Sequence, residues 1–91
     1  MEIDKVYLIH KYRHEVEGDT DETIIKAFSS LESARRFLRK VEMEATRDPD
    51  VRNVTYYENC ISGIDSIDVY YINYCYIYFI TVHEIEKEEQ S

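Results

Sequence analysis

Three histidines, two cysteines, several close carboxylate pairs and a dense set of tyrosines are the side chains of this 91-residue chain that could do chemistry. Their spacing limits what that chemistry is. His10 and His14 stand in a stretch rich in β-branched and aromatic residues. On a strand they share one face but lie about 13 Å apart at roughly 3.3 Å per residue, too far to share a metal. His83 stands beside Glu84, and neither has a nucleophile positioned by its sequence neighbours. Cys60 and Cys75 show no C-x-x-C and no nearby histidine pair that would read as zinc, so both are expected to be buried, reduced thiols. Asp65 with Asp68, and Asp19 with Asp21, could hold a cation weakly, but neither pair fits the spacing of a calcium loop. Gly18 and Gly63 sit in no phosphate loop. No catalytic residue, metal or cofactor is expected, and the chain reads as a non-enzyme.

The tyrosines suggest contact rather than reaction. Seven of the nine fall between Tyr56 and Tyr78, and Tyr70, Tyr74, Tyr76 and Tyr78 share the parity that puts side chains on one face of a strand. A tyrosine buries a large apolar ring while its hydroxyl stays wet, which suits a recognition surface or a dimer contact as well as a core. The second candidate group is acidic: Glu15, Glu17, Asp19, Asp21 and Glu22 surround Gly18 with no base among them. These nine residues are the expected binding set.

Charge sets the kind of partner. Eleven basic against nineteen acidic side chains leave a formal charge of −8, which repels nucleic acid and anionic membrane and favours a basic surface. Residues 29–47 carry five bases and three acids, so Arg35, Arg36, Arg39 and Lys40 form a local basic patch that could seat a phosphate. Four bases in so negative a background are poor equipment for nucleic acid. Residues 69–82 are apolar, but they hold Asn73, Thr81 and five tyrosines and fall short of the roughly twenty residues a spanning helix needs. The opening Met1-Glu2-Ile3-Asp4 has no basic region followed by an apolar run, so a cytoplasmic location is expected.

The elements that must position these residues follow from pattern. Residues 5–13 read as a strand, residues 15–22 as an acidic hairpin loop, and residues 23–28 as a second strand. Ser29-Ser30-Leu31-Glu32 matches a capping box and opens a helix whose apolar stripe is Leu31, Ala34, Phe37, Leu38, Val41 and Ala45. Pro49 ends it. Residues 54–60 read as a third strand, residues 61–68 as a turn or loop, and the run to Val82 as one last long strand. The acidic end, residues 86–91, is expected to fray. The order β-β-α-β-β predicts a single α+β domain over residues 1–91: an antiparallel sheet of about four strands with one helix on one face. Both parities of the last strand are apolar, so the face without a helix needs a cover or a partner. A bulge or break at Asn73 would shift the register and divide the tyrosines between faces.

Lys5-Val6-Tyr7-Leu8-Ile9-His10, the acidic hairpin, a second strand and then Ser29-Ser30-Leu31-Glu32-Ser33-Ala34 opening a helix resemble, over the first forty residues, a family of small uncharacterised bacterial and phage domains. The resemblance implies the fold and carries no active-site motif. In style the acidic chain also resembles phage-encoded inhibitors of bacterial defence, including anti-CRISPR proteins, some of which occupy nucleic-acid channels by charge imitation. That likeness implies a stoichiometric inhibitor of a basic protein, such as a nucleic-acid-binding defence effector. It implies no direct contact with nucleic acid or membrane, and leaves the tyrosine face to anchor the target or to pair two copies. Two alternatives stand beside it. One is an immunity protein that neutralises a toxin. The other is a nucleotide binder or sponge, with a pocket between the tyrosines of two protomers and Arg35, Arg36 or Arg39 gripping the anion.

Overall fold

Long runs of β-branched and aromatic residues make β1 (Ile3–Glu15) and β5 (Tyr74–Glu86), which pair antiparallel along their whole length, from Ile3 opposite Glu86 to Glu15 opposite Tyr74. In the computed structural model, which describes residues 3–15, 18, 20–58 and 64–86, this ribbon is the centre of one antiparallel sheet. The remaining elements are β2 (Asp21–Phe28), α1 (Leu31–Arg47), β3 (Asn53–Tyr57) and β4 (Ser66–Tyr70), with strand order β2-β1-β5-β4-β3. The α+β class and the single helix are as expected. The described residues hold five strands rather than about four.

The extra strand comes from a turn inside the apolar run. Residues 69–82 do not form one strand: β4 ends at Tyr70, and a tight turn at Ile72 and Asn73 reverses the chain into β5. The amide of Tyr71 donates to the carbonyl oxygen of Tyr74 at 2.8 Å and closes the turn. Asparagine is a frequent turn residue, and this turn contains no glycine. β4 uses residues expected in a loop. The third strand stops at Tyr57, and Cys60 lies outside the described residues. β5 continues to Glu86, with Glu84 opposite Lys5, so Glu86 belongs to the strand; residues 87–91 of the expected frayed end lie outside the described residues.

The helix starts one residue later than the capping-box reading. Ser30, extended at φ −135°, is the N-cap, and its Oγ accepts from the amide of Ser33 at 3.1 Å. Glu32 therefore turns outward to Arg36. Asp48 is the C-cap, immediately before Pro49. The predicted stripe docks as drawn: Ala34, Leu38 and Ala45 are buried against Ile9, Ile67, Val69 and Ile80, flanked by Leu31, Phe37 and Val41. Burying a side chain such as Ile9, Leu38 or Ile67 contributes roughly 2 kcal/mol each, so this layer is the main source of stability.

Directly opposed residues share a face. The register therefore puts Tyr7, Ile9, Lys11 and Arg13 with Tyr74, Tyr76, Tyr78 and Ile80 on the helix side. Val6, Leu8, His10, Tyr12 and His14 lie with Cys75, Ile77, Phe79, Thr81 and His83 on the other. The thirteen-residue strands span about 43 Å. The helix is about 25 Å long, shorter than the ribbon, and Val82 on its side of β5 is exposed. β2 is an edge strand with an irregularity between Lys26 and Ile24, where Ile25 is the extra residue. A bulge of this kind discourages pairing with another edge.

Candidate functional site

The nine expected binding residues divide between two surfaces. Tyr74, Tyr76 and Tyr78 do come together, with ring centroids 5.5 and 6.3 Å apart in sequence along β5. Tyr71, from the turn, stacks on Tyr74 at 4.6 Å. They lie on the helix side, where the chain's own cations cover them: Lys11 Nζ sits 4.2 Å above the Tyr76 ring and the Arg13 guanidinium 4.7 Å above that of Tyr74. Arg13 is also paired with Glu15 at 2.7 Å. Tyr70 departs from the expected face. Opposite Cys75 and ahead of the turn, it points to the side without a helix and donates to Asp68 at 3.5 Å. Glu15 and Asp21 flank the tyrosine ladder, opposite Tyr74 and Arg13, whereas Glu22 stands opposite Tyr12 on the other face. Glu17 and Asp19 lie outside the described residues.

Within the ladder Tyr78 belongs to the core. It packs against the helix layer, and burial, helped by Tyr71, Tyr76 and Glu44, pushes its phenol up to about 12. The folded value exceeds the ordinary 10.0, so stability from this group is complete below pH 10 and declines as pH rises toward about 12. A spectrophotometric titration of phenolate is expected to show a late-ionising class that loses one member in Tyr78→Phe. A Tyr78→Phe protein with an unchanged late class would contradict this.

The second surface is the open face of the sheet. Across it run rows of opposed residues: Glu22, Tyr12, Ile77, Asp68 and Thr55; then His10, Phe79, Ser66 and Tyr57; then Val6 with His83 and Asp4 with Ile85. The middle of these rows is apolar and aromatic, and no described helix or strand packs over it. Ile85, Tyr57, Tyr70 and Ile24 are exposed at its margins. Among the described strand residues it carries no lysine or arginine, while Asp4, Glu22 and Asp68 supply negative charge. Burial raises the Asp68 carboxyl above its usual range. Cys75, buried on this face beside Tyr70, is a free thiol that burial also pushes up.

No protein-family model, curated protein or solved structure matches this chain.

A polar group that local sequence did not reveal crosses the open face. His10 Nε2 lies 2.7 Å from Thr81 Oγ1, and the same oxygen lies 3.1 Å from His83 Nε2. Thr81 thus joins two histidines that sequence spacing left isolated. Glu22 Oε1 stands 3.6 Å from His10 Nδ1. Hydroxyl, imidazole and carboxylate in that order are the parts of an acyl-transfer relay. The imidazole–carboxylate gap is longer than a hydrogen bond, so the relay is open in this conformation. Among the described residues no group of three or more histidine, cysteine, aspartate or glutamate side chains could hold a metal ion.

Three of the four bases of the helix patch, Arg35, Arg36 and Arg39, are already paired. Arg35 Nε pairs with the buried Asp65 at 3.3 Å, and Arg36 pairs with Glu32 at 3.1 Å. Arg39 pairs with Glu42 and Glu58 and lies 3.6 Å above the ring of Tyr56. Tyr56 donates to Asp65 at 2.7 Å, and burial together with that bond holds its phenol far above the ordinary range. The cleft of about 200 Å³ between Arg35, Arg39, Tyr56, Glu58 and Asp65 therefore holds two carboxylates, two guanidinium groups and the Tyr56 phenol. It is a clasp between α1 and the β3–β4 region, built to satisfy its own charges.

Proposed function

We propose that this chain is a non-enzymatic protein-binding module that docks its open sheet face on a basic surface of another protein and acts by stoichiometric occupation of that surface. The observation that carries the reading is a sheet face with an aromatic and aliphatic middle, acids around it, and no described lysine or arginine strand residue. An uncovered apolar face of this kind is uncommon on a solitary monomer. Its charge is one-signed, which steers association with a cationic partner and opposes a second copy presenting the same acids. The narrower role, inhibition of a nucleic-acid-handling bacterial defence protein, rests on the likeness to phage-encoded inhibitors. The paired state of Arg35, Arg36 and Arg39 argues against the nucleotide-sponge reading.

Fluorescence anisotropy with a labelled peptide of alternating arginine and leucine tests the reading. Binding is expected, weakening as salt rises because rim charges are screened, whereas a glutamate–leucine peptide of equal length does not bind. Equal binding of both peptides, or of neither, would overturn it. A concentration-dependent dimer in sedimentation, losing its contact on mutation of Ile77, would place a second copy on the face instead.

A further inference from the structure

All three histidines of the chain, His10, His14 and His83, lie on the open face. Nothing in the fold requires this, since the helix side of the same two strands carries none of them. The His10 ring is stacked on Phe79 at 4.7 Å and 3°, at the centre of the apolar rows, and its Nδ1 is buried without a hydrogen-bond partner among the described residues. His14 stacks along its own strand on Tyr12 at 6.4 Å and stands opposite Cys75, with Tyr70 beyond on β4. His83 stands opposite Val6 and reaches His10 only through Thr81.

Among the described residues the charged groups facing these rings are few. From β2 there is Glu22, 3.6 Å from His10; on β1 Asp4 lies two positions from Val6; on β4 Asp68 lies across Ile77 from Tyr12. Imidazole changes charge between about pH 5 and pH 8. Three imidazolium groups would formally cancel the three carboxylates, so acidification removes the negative character that suits this surface to a cation. The Thr81 hydroxyl adds a conformational element. With neutral rings its single proton is donated to one imidazole while the other donates to it; once both rings are charged, both nitrogens donate and the hydroxyl proton must turn elsewhere.

We infer that binding through the open face is proton-gated: a basic partner is held while the histidines are neutral and is released as they take up protons. The inference rests on the binding reading above. It is tested with the same arginine–leucine peptide at about pH 7.5 and about pH 5.5, where affinity is expected to fall roughly tenfold or more. Calorimetry near pH 6.5 in two buffers of different ionisation enthalpy is expected to show protons released on binding. Replacement of His10, His14 and His83 by glutamine should flatten the pH dependence. The exposed single variants His14→Gln and His83→Gln should each reduce it, should the triple variant fail to fold. A peptide bound equally at both pH values would remove the gate and leave the binding reading standing, whereas a peptide bound at neither would remove both. Undiminished pH dependence in the glutamine variants would assign the effect to the carboxylates and overturn the gate.

Discussion

Replacing Asp65 with alanine is expected to lower the unfolding free energy by about 3 kcal/mol, because a charged side chain that is 4% exposed leaves its hydrogen-bond donor and its cation behind. The Tyr56 hydroxyl, 2.7 Å from the carboxylate, and the Arg35 guanidinium, 3.3 Å away, lose the group that offsets their own desolvation. The effect extends beyond one pair because Tyr56 also carries Arg39 over its ring, and Arg39 holds Glu42 and Glu58. The backbone of Asp65 is fixed as well, its carbonyl oxygen accepting from the amide of Ile80 at 3.3 Å. For a chain of this size 3 kcal/mol corresponds to a fall in Tm of roughly 15 °C, readable by circular dichroism alongside a urea titration. Asp65→Asn, which keeps an acceptor for Tyr56 but removes the charge facing Arg35, is expected to fall between the alanine variant and the parent. Arg36→Ala breaks an exposed pair with Glu32 and is expected to cost under about 0.5 kcal/mol. An Asp65→Ala protein as stable as the parent would mean that the clasp is solvated and contributes little.

How much of this was legible in sequence depends on the range over which each signal acts. The helix was legible because Leu31, Ala34, Phe37, Leu38, Val41 and Ala45 repeat at helical spacing within one segment, and Pro49 marks its end. Only the cap shifted, since Ser29 and Ser30 are chemically equivalent candidates and the backbone selected the second. The β1 and β2 strands were legible for the same local reason. The turn after Tyr71 was not, because Ile72 is apolar and Asn73 is a single polar residue in a run of strand formers; the expectation that a break there would divide the tyrosines describes the outcome for Tyr70. The charges on the helix were visible, but Asp65 and Glu58, which pair with Arg35 and Arg39, come from another part of the chain, so a paired clasp looked like a free basic patch. The histidine group was hidden most completely. His10 and Thr81 are separated by 71 positions, and only the full β1–β5 register places them in contact. Parity alone would have found it once those two strands were paired, because Thr81 and His83 share the odd positions with Phe79.

That register makes adjacent residues of β5 behave as opposites. Ile77→Lys is expected to leave the fold within about 1 kcal/mol of the parent, since the side chain points to the uncovered face and a lysine there can rest beside Asp68. The same change places a positive charge in the middle of a surface that otherwise lacks one, and binding of the arginine–leucine peptide is expected to fall by roughly tenfold or more. One residue later the pattern reverses. Tyr78→Ala removes a ring packed on the core beneath the helix and is expected to cost about 2 kcal/mol, while the folded fraction binds the peptide with unchanged affinity. Urea unfolding and anisotropy on the two proteins separate the alternatives, because a shared loss of stability cannot produce opposite phenotypes in neighbouring positions. If Tyr78→Ala instead abolished binding at full stability and Ile77→Lys changed nothing, the contact surface would be the tyrosine ladder on the helix side. The cations of Lys11 and Arg13 would then have to leave the Tyr76 and Tyr74 rings before a basic partner could reach them. That displacement opposes binding of a cation, and the open face, which asks for none, is the surface that the charge distribution favours.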